Sequence, residues 1–201
     1  LYIGQKIMSK AKTLSEKEFN KLLKYLHTTN HSERNKLMIY FSFWAGMRVK
    51  EIASLKIKDV FNNDGSVKRE IKLTSEQTKG NKNITCLLPT KLIYEIELYK
   101  KLICKVDGTF NNIEEPLFTP HNKTTPFTVN SLTVRFKYFY QQSGINNGSS
   151  HSGRRTYITN LAEEGISVRV LMELANHSHI STTQKYIDIN DEMKRKAIEL
   201  L

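Results

Sequence analysis

Leu37-Met38-Ile39-Tyr40-Phe41-Ser42-Phe43-Trp44-Ala45-Gly46-Met47, with Arg48 directly after it, is the longest apolar stretch of the chain and is interrupted by Ser42. It has about half of the ~20 residues that a bilayer crossing requires, so it predicts a buried helix. A helix that is apolar on most of its sides belongs in the core of a globular domain. Gly46 tolerates the backbone geometry at which a helix ends, so the helix is expected to pause there and to leave Arg48 just beyond the buried element.

Upstream, this helix is expected to begin at about Ser32. Before it, Ser15 and Glu18 have capping-box spacing, and Leu14 and Phe19 can form the hydrophobic staple around them. Phe19, Leu22, Leu23 and Leu26 then recur at helical period, which predicts an amphipathic helix and starts the fold at Leu14. Residues 1–13 are lysine-rich with little apolar periodicity and read as an arm or the end of a linker.

Downstream, Val49, Ile52 and Ala53 suggest a short helix, and Leu55, Ile57 and Val60 suggest extended chain reaching a turn at Asn62–Gly65. Ile71–Leu73 and Ile84–Leu88 are short apolar runs separated by Thr78-Lys79-Gly80-Asn81-Lys82-Asn83, a polar segment of hairpin composition. Thr90 can cap a helix carrying Leu92, Ile93, Ile96, Leu102 and Ile103. Further helices are expected across Thr128–Gln142, Ser152–Glu164 and Ser167–Asn176. Helices, a small antiparallel sheet, then helices again make an α+β domain, mainly helical, rather than alternating βαβ units.

A chain of 201 residues suffices for one hydrophobic core, and 39% hydrophobic content is ordinary for a globular protein. Lys and Arg total 31 against 20 Asp and Glu, a formal charge of +11, with a pI near 9.6. That balance favours a polyanionic partner, either nucleic acid or an anionic membrane surface, and charge alone does not choose between them. The start of the chain has no basic-then-apolar signal pattern, and Cys86 and Cys104 have neither metal-ligand nor redox spacing, so a reducing cytoplasmic setting is expected.

Four segments carry residues suited to chemistry: Gly46-Met47-Arg48-Val49-Lys50-Glu51-Ile52, Thr78-Lys79-Gly80-Asn81-Lys82, His151-Ser152-Gly153-Arg154-Arg155-Thr156-Tyr157, and His177-Ser178-His179-Ile180-Ser181-Thr182-Thr183-Gln184-Lys185-Tyr186. Taken singly, each has an ordinary reading. Arg48 can be a surface residue at a helix start, Lys79 a solvated turn lysine, His151 and Arg154 a helix pair, and Tyr186 a packed ring. His177 and His179 invite a zinc reading, but no third ligand completes a zinc spacing, and His179 reads as solvated.

Together, these segments resemble the tyrosine recombinase or phage integrase family. Its pattern is an arginine after a glycine, a hairpin lysine, a His-x-x-Arg helix, a second histidine, and a nucleophilic tyrosine nine residues later. Every position matches in order across Leu14 to Asp188. Two departures are Asn176, where the family commonly has glycine, and Arg155, where a histidine commonly follows the second arginine.

The resemblance implies a catalytic domain over residues 14–190 that cuts and rejoins DNA through Tyr186. An unaided tyrosine costs about 4 kcal/mol to ionise at pH 7, so it needs a base and local positive charge. Arg48 and Arg154 are expected to bind the non-bridging phosphate oxygens, because guanidinium groups offer fixed bidentate donors there. His151, one helical turn before Arg154, is the candidate general base, and His177 a donor to a non-bridging oxygen. Lys79, or failing that Lys82, is the candidate acid for the departing 5′ hydroxyl, with Glu51 steadying the basic cluster.

Neither a metal nor any other cofactor is implied. Double-stranded DNA is the implied partner, with a homotetramer on two synapsed sites and no membrane. The rival readings are a type IB topoisomerase-like relaxing enzyme and a non-catalytic DNA-binding regulator. Residues 191–201 are expected to form a short helix, capped by Asn190 or Asp191, whose apolar face packs either on its own domain or, as the resemblance implies, on a neighbouring protomer.

Overall fold

The computed structural model describes residues 11–78, 80, 82–120, 124–187, 194–195 and 198–199. Residues 1–10 of the expected arm over residues 1–13, Lys79 and most of the expected helix over residues 191–201 lie outside the described residues.

The amphipathic helix forms as α1 (Glu16–His27), with both bonds of the Ser15–Glu18 capping box in place. The apolar stretch forms the second half of α2 (Ser32–Trp44), in which Leu37 through Phe43 are all buried. Such a helix has no solvent face to give up, so its neighbours must close around it. α1, α5 (Thr90–Ile103) and α7 (Ser152–Glu163) all pack against it. From α1, Phe19 meets Phe43 with ring centroids 4.6 Å apart. Tyr40 and Trp44 stack at 4.0 Å, and Lys91 of α5 caps the Trp44 ring at 4.6 Å.

After Gly46, whose φ of +64° ends the helix as its sequence predicts, come α3 (Val49–Ser54) and a single turn, α4 (Ile57–Val60). That turn corrects the expectation of extended chain through Ile57 and Val60. The Asp59 carboxylate accepts the backbone N–H of Lys56 at 2.9 Å, and this local cap holds a turn where apolar spacing alone suits a strand.

The expected hairpin is β1 (Glu70–Leu73) and β2 (Ile84–Leu87), antiparallel, with Ile71 opposite Cys86. Cys86 Sγ donates to the Ala45 carbonyl at 3.3 Å, fastening the sheet to the end of α2. Thr90 is the first residue of α5 and not its cap. Pro89 takes that place in extended conformation, and its carbonyl accepts from Leu92 and Ile93.

The second half of the chain forms α6 (Val129–Gln142), α7, α8 (Val168–Leu174) and α9 (Ile180–Gln184), the last of which sequence periodicity does not predict. Among the described residues no helix is long and apolar enough to cross a membrane.

α2 and α7 approach closely at Gly153. A Cβ on Gly153 would lie 2.4 Å from Ser42 Oγ and 2.7 Å from Phe43 Cδ2, so the two helices approach more closely than any side chain at Gly153 permits. Gly153→Ala is expected to force them apart and to lower the unfolding free energy by ~1–3 kcal/mol in urea denaturation. Wild-type stability in that variant would show that the helices have room to spare.

Candidate active site

Close packing of α7 on α2 brings Arg154 to the turn that comes after α2. Its side chain is buried, with Nη1 donating to the Gly46 carbonyl at 2.6 Å and Nη2 to the Ala175 carbonyl. Gly46 is held from its other side as well, because a Cβ there would sit 2.5 Å from the Tyr157 ring. A guanidinium has five N–H donors in a planar fork, so two carbonyls fix its plane and leave further donors for an anion.

Arg48 leads into α3. Its backbone N–H donates to Glu51 Oε2 at 2.7 Å, and its Nη1 to Glu51 Oε1 at 2.9 Å. Glu51 is only 1% exposed, so its charge requires this partner. Burial, and then the like charge of Arg48, bring the Arg154 guanidinium down to about 10, against the opposing pull of Glu51 and Tyr186. Two cations therefore share one buried carboxylate, and at neutral pH the cluster is electropositive.

After α8 the chain reverses at Asn176, whose φ is +49°. Asparagine tolerates this left-handed conformation better than most residues, so Asn176 does here what glycine would do. Its Nδ2 also donates to the Thr85 carbonyl of β2 at 3.2 Å. The reversal presents His177, whose Nδ1 lies 2.9 Å from Thr183 Oγ1. His177 also stacks on the Tyr186 ring, with centroids 5.7 Å apart and planes at 24°.

Tyr186 comes after α9 in a turn, with its N–H donating to the Thr183 carbonyl at 2.9 Å. Its carbonyl accepts from Thr159 Oγ1 at 3.4 Å. The structure thus brings Arg48, Glu51, Arg154, His177 and Tyr186 into one cluster.

His151 sits at the N-cap of α7, exposed, one turn before Arg154. Lys82 is exposed, and its carbonyl accepts from Thr78 Oγ1 at 2.7 Å. Lys50 Nζ donates to the Thr78 carbonyl at 2.6 Å, bracing the hairpin directly before Lys79. His179 is exposed at the start of α9. Among the described residues, no group of three or more His, Cys, Asp or Glu side chains is placed to hold a metal ion.

Sequence spacing does not single out Thr183, which is fully buried behind His177. The pair matters for the proton's location. Burial, with Arg154 and Arg48 adding to it, pushes His177 down to about 4, so its imidazole is neutral at neutral pH. When the Thr183 hydroxyl donates to Nδ1, the ring proton resides on Nε2, which becomes a hydrogen-bond donor.

A histidine whose folded pKa is depressed binds fewer protons than it does when unfolded. Its contribution to stability is therefore fully present above the unfolded value of 6.5 and is lost as pH falls towards 4. Urea denaturation of the DNA-free protein across that window is expected to show wild type losing more stability than His177→Gln. Identical slopes in the two proteins would contradict the depressed value.

The phage integrase family model matches residues 12–193 of this chain. The tyrosine recombinase XerA of Pyrococcus horikoshii is 31% identical over 188 residues, covering 94% of this chain and 60% of that protein. The tyrosine recombinase XerD of Rickettsia conorii is 29% identical over 194 residues, covering 92% of this chain and 62% of that protein. Among solved structures, a crystal structure of XerA recombinase superposes with a TM-score of 0.72 at 21% identity, covering 96% of this chain and 65% of that one. The Tn1549 transposon integrase in complex with a circular intermediate DNA gives 0.72 at 17% identity, covering 97% of this chain and 67% of that one. These superpositions establish a shared fold. The chain spans about 60% of the length of the XerA protein that it matches. With nearly its whole length matched by the family model and its fold shared with these recombinase structures, the chain belongs to the phage integrase family.

Proposed function

We propose that this chain is the catalytic part of a site-specific DNA recombinase that cleaves and rejoins strands through a 3′-phosphotyrosyl intermediate. The observation that carries this reading is the Tyr186 ring, held against a neutral His177 and within electrostatic reach of the buried Arg154.

The Tyr186 oxygen attacks the scissile phosphorus, the new phosphotyrosyl bond forms, and the bond to the 5′ oxygen breaks. Arg154 and Arg48 supply donors to the non-bridging oxygens as charge accumulates there, and His177 supplies one more from Nε2. His151 accepts the tyrosine proton, and Lys79 delivers a proton to the departing 5′ oxygen. In the second half, a 5′ hydroxyl from a partner duplex attacks the phosphotyrosine and releases Tyr186. The covalent link conserves the phosphodiester, so no external energy source is needed. The surplus of cations suits a phosphate backbone, and four protomers on two synapsed duplexes supply the partner strands.

The test is a library of nicked duplexes, sequenced from DNA that stays protein-linked after denaturation. Wild type is expected to trap a defined site, whereas Tyr186→Phe binds the same DNA and gives no adduct. Adduct from Tyr186→Phe would overturn the assignment of the nucleophile. On the trapped site, Lys79→Ala is expected to slow cleavage, and a 5′-bridging sulfur, which departs without protonation, to restore it. Rescue of Lys82→Ala and not of Lys79→Ala would transfer the acid role to Lys82.

A further inference from the structure

Successive residues of a helix point about 100° apart. Arg154 turns into the core, and its neighbour Arg155 therefore emerges at the rim of the cluster, half-buried. The guanidinium carbon of Arg155 lies 5.4 Å from the centroid of the Tyr186 ring. On its other side, Nε of Arg155 donates to Thr13 Oγ1 at 3.1 Å. The next residue pair repeats the attachment, with the backbone N–H of Leu14 donating to Thr156 Oγ1 at 2.9 Å. Arg155 is therefore tethered by the segment leading into α1 while its guanidinium lies over the tyrosine ring. Among the described residues no carboxylate forms an ion pair with it.

We infer that Arg155 is a positioning residue for Tyr186, orienting the ring for attack. This rests on the reading of Tyr186 as the nucleophile. A cation over an aromatic ring is held by the electron density of that ring. Loss of the phenolic proton adds a full negative charge to the ring system, so the attraction strengthens as the nucleophile forms. The interaction is therefore stronger in the reacting state than in the resting one, which is the condition for accelerating a step and not merely stabilising the fold. His177 is neutral and cannot supply that charge from its own contact with the ring. Lysine would keep a charge at the position but lacks the plane and the Nε that reaches Thr13.

Two measurements on the full chain test the inference. The first is DNA-free. With ring-13C tyrosine, the Tyr186 signal is identified by its loss in Tyr186→Phe, and it is expected to shift in Arg155→Met and, less strongly, in Thr13→Val. An unmoved signal in Arg155→Met would refute the contact. The second is single-turnover adduct formation on the duplex trapped by wild type, at saturating DNA. Arg155→Met is expected to be slower by about ten-fold near neutral pH, with Arg155→Lys in between. The DNA concentration giving half-saturation is expected to stay at the wild-type value.

A deficit that Arg155→Lys shares in full would mean a structural role only. A change confined to the DNA concentration giving half-saturation would mean a phosphate contact only. Either result overturns the inference and leaves the nucleophile reading intact. Absence of adduct from wild type on every duplex would instead overturn that reading and the chemical role of Arg155 with it. The DNA-free signal would then still decide whether Arg155 holds the ring.

Discussion

A charged guanidinium inside a protein is the constraint around which this domain is organised. Removing a cation from water costs several kcal/mol even after relaxation, and Arg154 offsets that with hydrogen bonds to two carbonyls and the nearby charge of Glu51. The two carbonyls belong to the two places where the chain turns towards the site, Gly46 after α2 and Ala175 after α8. One side chain therefore fixes the loop that delivers Arg48 and the reversal that delivers His177 and, through α9, Tyr186. The charge of the cluster is unbalanced, with two arginines facing one buried carboxylate. An arriving phosphate would balance it.

Arg154 reaches both carbonyls with α7 lying against α2 at Gly153, where the missing side chain lets the helix close on Ser42 and Phe43. The hairpin is tied into the same region. Cys86 bonds to Ala45, and Asn176 bonds to Thr85, so β2 touches both turns that Arg154 connects. Burial pushes the Cys86 thiol up to about 12, which keeps it neutral and suits a packing role. Arg48 and His177 are thus presented by turns and Arg154 by α7, while the elements beneath them form one apolar core.

Much of this is legible in the sequence because the relevant signals are local. The Ser15–Glu18 capping box starts α1, the Leu37–Met47 stretch makes the buried helix, and the polar segment between two short apolar runs makes the hairpin. The convergence of Arg48, Arg154, His177 and Tyr186 comes from an ordered motif set, not from periodicity, since those residues sit in three separate segments of the chain. What the sequence conceals is interaction between turns. Thr183 supports His177 from within α9, and Arg155 meets Tyr186 from α7, so no spacing within one element encodes either contact. The Ile57–Val60 turn escapes for a different reason. Its apolar residues fit a strand, and only the cap from Asp59 decides otherwise. Asn176, a departure from the motif in sequence, adopts the backbone conformation that makes the departure harmless.

Physical coupling of the two site-bearing turns by Arg154 is tested most directly by hydrogen exchange on Arg154→Lys. A single ammonium cannot reproduce a planar fork spanning two carbonyls. Such coupling predicts that amides of residues 46–48 and of residues 175–186 lose protection together, while those of α1 and α2 keep theirs. Unchanged protection in either segment would contradict it, because the turns would then be held by something other than the buried guanidinium.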